Sequence, residues 1–220
     1  MPGIEDQAAA ALHIVGLILT GVLGARLWAL AGWAGVPPVR RRAVLVFIAA
    51  WLVLYTASVA FHLAPAGALR QLLMAFDQGA IFILIAAGWA PLVPFRMAPD
   101  EGRGLLVTLW SLAGVGILVE LVAGFSAQHI PLHRLGFGLY LVQAVVPFVL
   151  CGRALLRRLS RASMGFMCGS MVLYGVGVLF YRRTELPWNH VAWHFAIVLG
   201  CVVNFLGVRQ LLREDGPPRN

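Results

Sequence analysis

The sequence has 220 residues, of which 60% are hydrophobic and only 12% are charged. Its mean hydropathy is +0.85. Soluble domains of ordinary composition carry about 25% charged residues, so this composition excludes that class. The formal net charge of +8 rests on arginine alone, and the arginines lie mostly in short polar segments between apolar ones. That distribution is typical of membrane-protein loops, and we expect no nucleic-acid partner.

Seven apolar segments are long enough to cross a membrane, which takes roughly 20 mostly apolar residues. They cover about residues 8–32, 43–64, 72–95, 104–125, 135–152, 163–181 and 190–211. The connections between them are short, and no change of composition divides the chain. The sequence therefore predicts a single all-α domain over residues 1–220, an integral membrane bundle of seven helices in which neighbours run antiparallel.

The arginines are distributed unequally between the two sides of the predicted bundle. Seven crossings place twelve arginines on the side of the C-terminus and four on the side of the N-terminus, leaving out Arg26 inside the first segment. The twelve are Arg40, Arg41, Arg42, Arg96, Arg103, Arg153, Arg157, Arg158, Arg161, Arg209, Arg213 and Arg219, and the four are Arg70, Arg134, Arg182 and Arg183. Because arginine-rich loops stay in the cytoplasm, this bias predicts a cytoplasmic C-terminus and an N-terminus outside.

Two histidines open the last apolar segment. His190 and His194 are four residues apart, which places them on one face of a helix. Two imidazole nitrogens on one face can bind one metal ion, as in the H-x-x-x-H pairs that bind zinc. Pro187 disfavours a helix running in from before it, and Asn189 is a good N-cap, so we expect both histidines in the first turns.

Further polar residues fall at the same end of the predicted bundle. Ser58 and His62 are again four residues apart, at the end of the second segment, and Asp77 lies just inside the third. A carboxylate in the membrane interior is costly and needs a partner or a function. Together with the histidine pair, three helices thus bring polar side chains to one depth, and we predict a functional site there.

The remaining ionisable groups near this end allow a simpler interpretation. Glu120, in the fourth segment, is either an interfacial acid paired with Arg134 or a histidine, or a member of the site. His13 is interpreted as interfacial. His129 and His133 are interpreted as solvated loop residues.

The predicted cluster has the composition of a catalytic zinc site. Three imidazoles with an open position leave room for a water molecule, and zinc makes such a water reactive near neutral pH. Asp77 would orient this water and accept its proton, and Ser58 would donate to the water or to an oxyanion. A structural zinc more often has four protein ligands, with cysteine among them. Imidazole ligands favour zinc, although other transition metals also suit them.

At these residues the chain resembles the hemolysin III family, the bacterial relatives of the adiponectin and progestin receptors and, more remotely, of the alkaline ceramidases. The resemblance covers about residues 40–210 and rests on three pieces that occur in order. They are Ser58-x-x-x-His62; Asp77-Gln78-Gly79-Ala80-Ile81 followed by Ala86-Ala87-Gly88-Trp89-Ala90-Pro91; and Gly177-Val178-Leu179-Phe180-Tyr181 before His190-x-x-x-His194.

The resemblance implies a seven-helix bundle in the bacterial inner membrane. It implies that zinc is bound by His62, His190 and His194, and that Asp77 and Ser58 surround the water at the metal. The implied activity is hydrolysis of an amide bond in a lipid such as ceramide, or a role in sensing the lipid state of the membrane.

The chain departs from the family pattern at two places and conflicts with one description of its topology. The family often has His-Ser after the aspartate and Thr-Tyr-Thr-Pro further on, where this chain has Gln78-Gly79 and Gly88-Trp89-Ala90-Pro91. These changes alter the wall of the site and leave the substrate open. The adiponectin receptors are described with a cytoplasmic N-terminus, and the ceramidases with the inverted orientation. We follow the arginine bias.

Three functions therefore stand as alternatives. The first is a zinc-dependent intramembrane hydrolase that acts on a lipid amide or ester. The second is a receptor-like or regulatory membrane protein with a structural zinc, whose helices respond to membrane lipids. The third is a pore-forming haemolysin, which the sequence favours least because no segment is amphipathic in the way a pore former requires.

Overall fold

The computed structural model describes residues 3–33, 36–126 and 129–215, and in these ranges all secondary structure is helical. The helices are α1 (Ile4–Trp33), α2 (Pro38–Leu63), α3 (Ala68–Trp89), α4 (Leu92–Arg96), α5 (Pro99–Phe125), α6 (His129–Arg158), α7 (Arg161–Arg182) and α8 (Asn189–Glu214). Seven spans are long and apolar enough to cross a membrane, with α3 and α4 forming one of them. The prediction of an all-α bundle of seven membrane-spanning helices is confirmed.

The helices form an incomplete ring. α1 packs against α2 and α8, α2 against α3, α3 against α5, α5 against α6, and α7 against α8. α6 and α7 follow each other in the chain, yet their backbones are not closely packed, and they meet through side chains such as the stacked rings of Phe137 and Tyr181, 5.7 Å apart. The largest buried cluster lies where α1, α2 and α8 meet, around Phe47, Trp51, Tyr55 and Phe205. The ring is therefore tightly packed on the α1–α2–α8 side and more loosely packed between α6 and α7.

The helices extend beyond the apolar segments of the sequence because backbone hydrogen bonding continues into the polar ends. The clearest case is α6, which begins at His129 although its apolar segment begins near residue 135. His133 is therefore helical, and its interpretation as a solvated loop residue was wrong. The third crossing is interrupted instead of extended. Pro91 has no N–H to donate, so α3 ends at Trp89 and the chain continues as the short helix α4.

The start of α8 differs from the prediction that Asn189 caps it. Trp188 occupies the N-cap position, with a left-handed backbone at φ 61°. Asn189 is the first helical residue, and its side-chain amide donates to the carbonyl of Phe180 at 3.3 Å. This bond ties the start of α8 to the end of α7, and His190 still lies in the first turn.

Ion pairs join the helix ends at the side of the C-terminus. The Arg96 guanidinium donates to Glu214 at 2.6 Å and to Asp215 at 2.7 Å, and Arg40 also pairs with Asp215. Ser163, at the start of α7, donates to Glu214 at 2.9 Å. These bonds connect α2, α4, α7 and α8 at the end opposite to the histidines.

Candidate metal centre and cavity

Three imidazoles converge where α2 ends and α8 begins. The Nε2 atom of His194 lies 3.2 Å from Nε2 of His62 and 2.9 Å from Nε2 of His190. His62 and His194 are buried, and His190 is half-buried. Two nitrogens bound tetrahedrally to one zinc at about 2.0–2.1 Å are roughly 3.3 Å apart, so the observed spacing is close to that of a ligand set. The Nε2 atoms of His62 and His190, from two different helices, therefore both face Nε2 of His194.

Asp77 and Ser58 lie beside this cluster. The Ser58 hydroxyl donates a hydrogen bond to Oδ1 of Asp77, and both side chains are buried. Ser58 is one helical turn before His62 on α2, and it lines the same cavity as Asp77 and His194. The structure thus places the five predicted residues at one end of the bundle. It shows the serine hydroxyl committed to holding the carboxylate of Asp77.

His13 belongs to this cluster, and its interpretation as an interfacial residue was wrong. Its ring is buried and stands edge-on against His194, with 4.2 Å between ring centroids, and it stacks on His62 at 5.6 Å. Both ring nitrogens lack a hydrogen-bond partner among the described residues. Ligand nitrogens of His13, His62 and His194 lie within 4.8 Å of one another, so among the described residues these three side chains are the group that could hold a metal ion.

Asp6, to which the sequence analysis assigned no role, contacts Nδ1 of His62, the ring nitrogen that does not face His194. Its carboxylate oxygen Oδ1 lies 3.0 Å from Nδ1 of His62 and accepts a hydrogen bond from Arg70 at 2.8 Å. Arg70 also donates to the carbonyls of Phe61 and Ala64 at the end of α2. A histidine that binds a metal through one nitrogen commonly donates its other N–H to a carboxylate, which fixes the ring. Asp6 and Arg70 hold His62 in that arrangement.

A sequence signal for the contribution of α1 existed. Asp6 and His13 are seven residues apart, which is about two helical turns, so they share one face of α1. That face packs against α2 and α8, the two helices that carry the other histidines. The spacing was missed because the assignment of apolar segments by hydropathy does not take the spacing of polar residues into account.

Glu120, which is buried, and His133, which is half-buried, form a second polar pair. The carboxylate oxygen Oε2 of Glu120 lies 2.5 Å from Nδ1 of His133, and Glu120 is 1% exposed. Of the two partners considered for Glu120, Arg134 or a histidine, the structure shows a histidine. His133 also lines the cavity that Asp77 and His194 line.

The cavity has a volume of about 500 Å³ and lies inside the ring of helices. Pockets for small organic ligands typically measure about 300–1,000 Å³. Its lining is largely apolar along α3, α7 and α8, and its polar residues at the histidine end include Ser58, Asp77 and His194. The arrangement can hold a long apolar molecule with a polar group beside the histidines.

We expect Asp6→Asn to weaken the binding of a divalent metal ion by about 10- to 100-fold, because it replaces the charged carboxylate that fixes the His62 ring with a neutral, weaker acceptor. The measurement is competition with a chelator on the purified protein. Glu5→Gln is the matched control, since the neighbouring Glu5 side chain is exposed. Equal metal affinity of the Asp6 and Glu5 variants would contradict this role of Asp6.

Comparison with known proteins identifies the family of the chain. The family model described as Haemolysin-III related matches residues 5–205. The chain is 29% identical over 163 residues to the Hemolysin-3 homolog of Bacillus subtilis (strain 168), covering 74% of each protein. It is 26% identical over 169 residues to Hemolysin-3 of Bacillus cereus, covering 76% of this chain and 73% of that protein. The chain belongs to the hemolysin III family.

Proposed function

We propose that the protein is a zinc-dependent intramembrane hydrolase that cleaves an amide bond, as in ceramide, or an ester bond in a membrane lipid. The observation that carries this proposal is the elongated apolar cavity that ends at Asp77, Ser58 and His194. An amphiphile that fills it has its polar group at the candidate metal centre.

The dimensions of the cavity fit an acyl chain. On α7 its lining runs from Ser163 to Tyr181, which is about 27 Å along a helix with a rise of about 1.5 Å per residue. That length is close to the thickness of the whole hydrocarbon core of a bilayer, about 30 Å, of which one lipid tail spans roughly half, so the cavity is long enough for a tail. A lipid tail therefore fits this cavity better than a compact, polar metabolite does.

The loose packing between α6 and α7 offers a route into the cavity. Residues of both helices line the cavity, and the helices meet through side chains such as Phe137 and Tyr181. A lipid can enter sideways when these side chains move apart, with its polar group staying at the depth of the histidines. A substrate drawn from the bilayer is consistent with this route.

The chain offers a ligand set that fits zinc. His62, His190 and His194 would hold the ion, with Asp6 orienting His62 through its Nδ1–H. When bound, a zinc ion supplies Lewis acidity, which polarises a carbonyl group and promotes the ionisation of water near neutral pH. All three proposed ligands are imidazoles. Zinc and other transition metals bind imidazole well, whereas magnesium and calcium prefer oxygen ligands.

Asp77 would act as the general base and acid of the reaction. Its carboxylate accepts a proton from the attacking water, whose oxygen bonds to the carbonyl carbon of the lipid. Asp77 then donates this proton to the nitrogen or oxygen of the breaking bond, which leaves as an amine or alcohol. Ser58 holds the carboxylate in place through the hydrogen bond between its hydroxyl and Oδ1 of Asp77.

A second candidate function is a receptor-like or regulatory protein that responds to membrane lipids and uses zinc structurally. The observation that favours it is the buried His13 ring, because a fourth imidazole beside His62 and His194 can close the coordination of an ion. The two functions differ in what His13→Ala does. A hydrolase with His62, His190 and His194 as ligands retains its metal in this variant, whereas a closed four-histidine site loses affinity.

We expect Asp77→Asn to lower the turnover of a lipid amide by at least about 100-fold, the range typical of a lost general acid–base group, while about one zinc per chain stays bound. The measurement pairs metal analysis with product detection on short-chain ceramides and N-acyl ethanolamines. Asp100→Asn, an exposed acid near the start of α5, is the control. Undiminished turnover in Asp77→Asn would overturn the role of Asp77, and bound zinc without turnover of any lipid would favour the second function.

We also propose that the protein resides in the bacterial inner membrane with its C-terminus in the cytoplasm and the histidine end outside. The support is the arginine bias, twelve against four. A reporter active only in the cytoplasm should give signal when fused after Asn220 and stay silent when fused before Met1. The reverse pattern would overturn the orientation and place the histidine end at the cytoplasmic face.

A further inference from the structure

Glu120 and His133 are not used by the proposed reaction, although both are costly to bury. Glu120 is 1% exposed within the membrane-spanning helix α5. An unpaired carboxylate there would be strongly unfavourable, and His133 of α6 meets it at 2.5 Å. Tyr140, two turns further along α6, also interacts with Glu120 and donates to the Gln78 carbonyl at 2.8 Å. The pair is thus joined to the residue that follows Asp77.

A glycine in α6 leaves space for the Glu120 carboxylate. A Cβ atom placed on Gly136 would lie 1.8 Å from Oε1 of Glu120, which is far inside the contact distance. On the same helix, a Cβ atom on Gly138 would meet nothing within 4 Å. Gly136 therefore permits a close approach of α5 and α6 at which Glu120 reaches His133.

The pair leaves one hydrogen-bonding atom without a partner among the described residues. A carboxylate only accepts hydrogen bonds, so Nδ1 of His133 donates to Glu120, and in a neutral ring Nε2 is then an acceptor. This Nε2 atom is buried and has no hydrogen-bond partner among the described residues. His133 also lines the cavity. A buried acceptor of this kind is normally satisfied by a ligand or a water molecule.

The Glu120–His133 pair lies at the depth at which the polar group of a bound lipid would lie. Glu120 lies five residues before the end of α5 at Phe125, about 7.5 Å along the helix. His133 lies in the second turn of α6, which begins on the same side of the bundle. An amphiphile whose tail fills the cavity therefore has its headgroup at this level.

We propose that the Glu120–His133 pair recognises the headgroup of the bound amphiphile, with Nε2 of His133 accepting a hydrogen bond from a hydroxyl group of that headgroup. This inference rests on the proposed function, because it concerns the lipid that occupies the cavity. It narrows the substrate class to lipid amides or esters with a hydroxyl group close to the bond that is cleaved. Glu120 is a positioning residue that acts through His133.

The test compares two probes that differ only in this hydroxyl group. N-palmitoyl ethanolamine carries it, and N-palmitoyl propylamine has a methyl group in its place. Binding of each to the full-length protein in detergent is measured by displacement of a fluorescent fatty amide. We expect the wild type to bind the ethanolamine probe about tenfold more tightly, the size expected for a hydrogen bond in a buried, charge-supported site.

Three variants are expected to lose this preference while binding the propylamine probe nearly as the wild type does: His133→Leu, Glu120→Gln and Gly136→Ala. Gly138→Ala should keep the preference and is the control for Gly136→Ala. A purely structural role of the pair would lower the affinity for both probes equally. If His133→Leu does not fold, the isosteric Glu120→Gln variant still decides the question.

The possible failures are distinguishable. Equal affinity of the wild type for the two probes, or an unchanged preference in all three variants, overturns the headgroup proposal and leaves the hydrolase proposal standing. If neither probe binds, the claim that the cavity holds an amphiphile is wrong, and both proposals fail with it.

Discussion

The constraint on which the rest of the structure depends is the cost of placing imidazoles and carboxylates inside an apolar bundle. His13, His62 and His194 are buried together, and Asp77 is buried beside them. In a membrane interior such groups require hydrogen-bond partners or a metal ion. The partners that the structure provides are Asp6 behind His62 and Ser58 beside Asp77. The ligand nitrogens of His13, His62 and His194, within 4.8 Å of one another, could be satisfied by a metal ion.

The two ends of the bundle have different tasks. At the side of the C-terminus, Arg40 and Arg96 pair with Glu214 and Asp215 and connect α2 and α4 to the end of α8. At the histidine end Ser58, Asp77 and His194 line the cavity. The loosely packed pair α6 and α7 runs between these two ends. Loose packing of one helix pair is compatible with a stable bundle because the closure rests on other helix pairs.

Much of the fold and part of the site followed from the sequence. Seven apolar segments are a strong signal because the bilayer imposes both length and composition on each helix. The pairs Ser58 with His62 and His190 with His194 were visible because a spacing of four is local to one helix. His13, Asp6 and His133 were missed or misassigned for the opposite reason. Their roles depend on which helices become neighbours and on helices that extend past their apolar segments, and neither property can be read from local spacing.

The most direct test of the histidine cluster is the metal content of the purified protein, measured for the wild type beside the His190→Ala/His194→Ala variant. The ligand set described above predicts about one zinc per chain in the wild type and its loss in the double variant. Wild-type protein that carries no metal after purification without chelators, or a double variant that keeps its zinc, would contradict the central claim that these histidines form a metal centre.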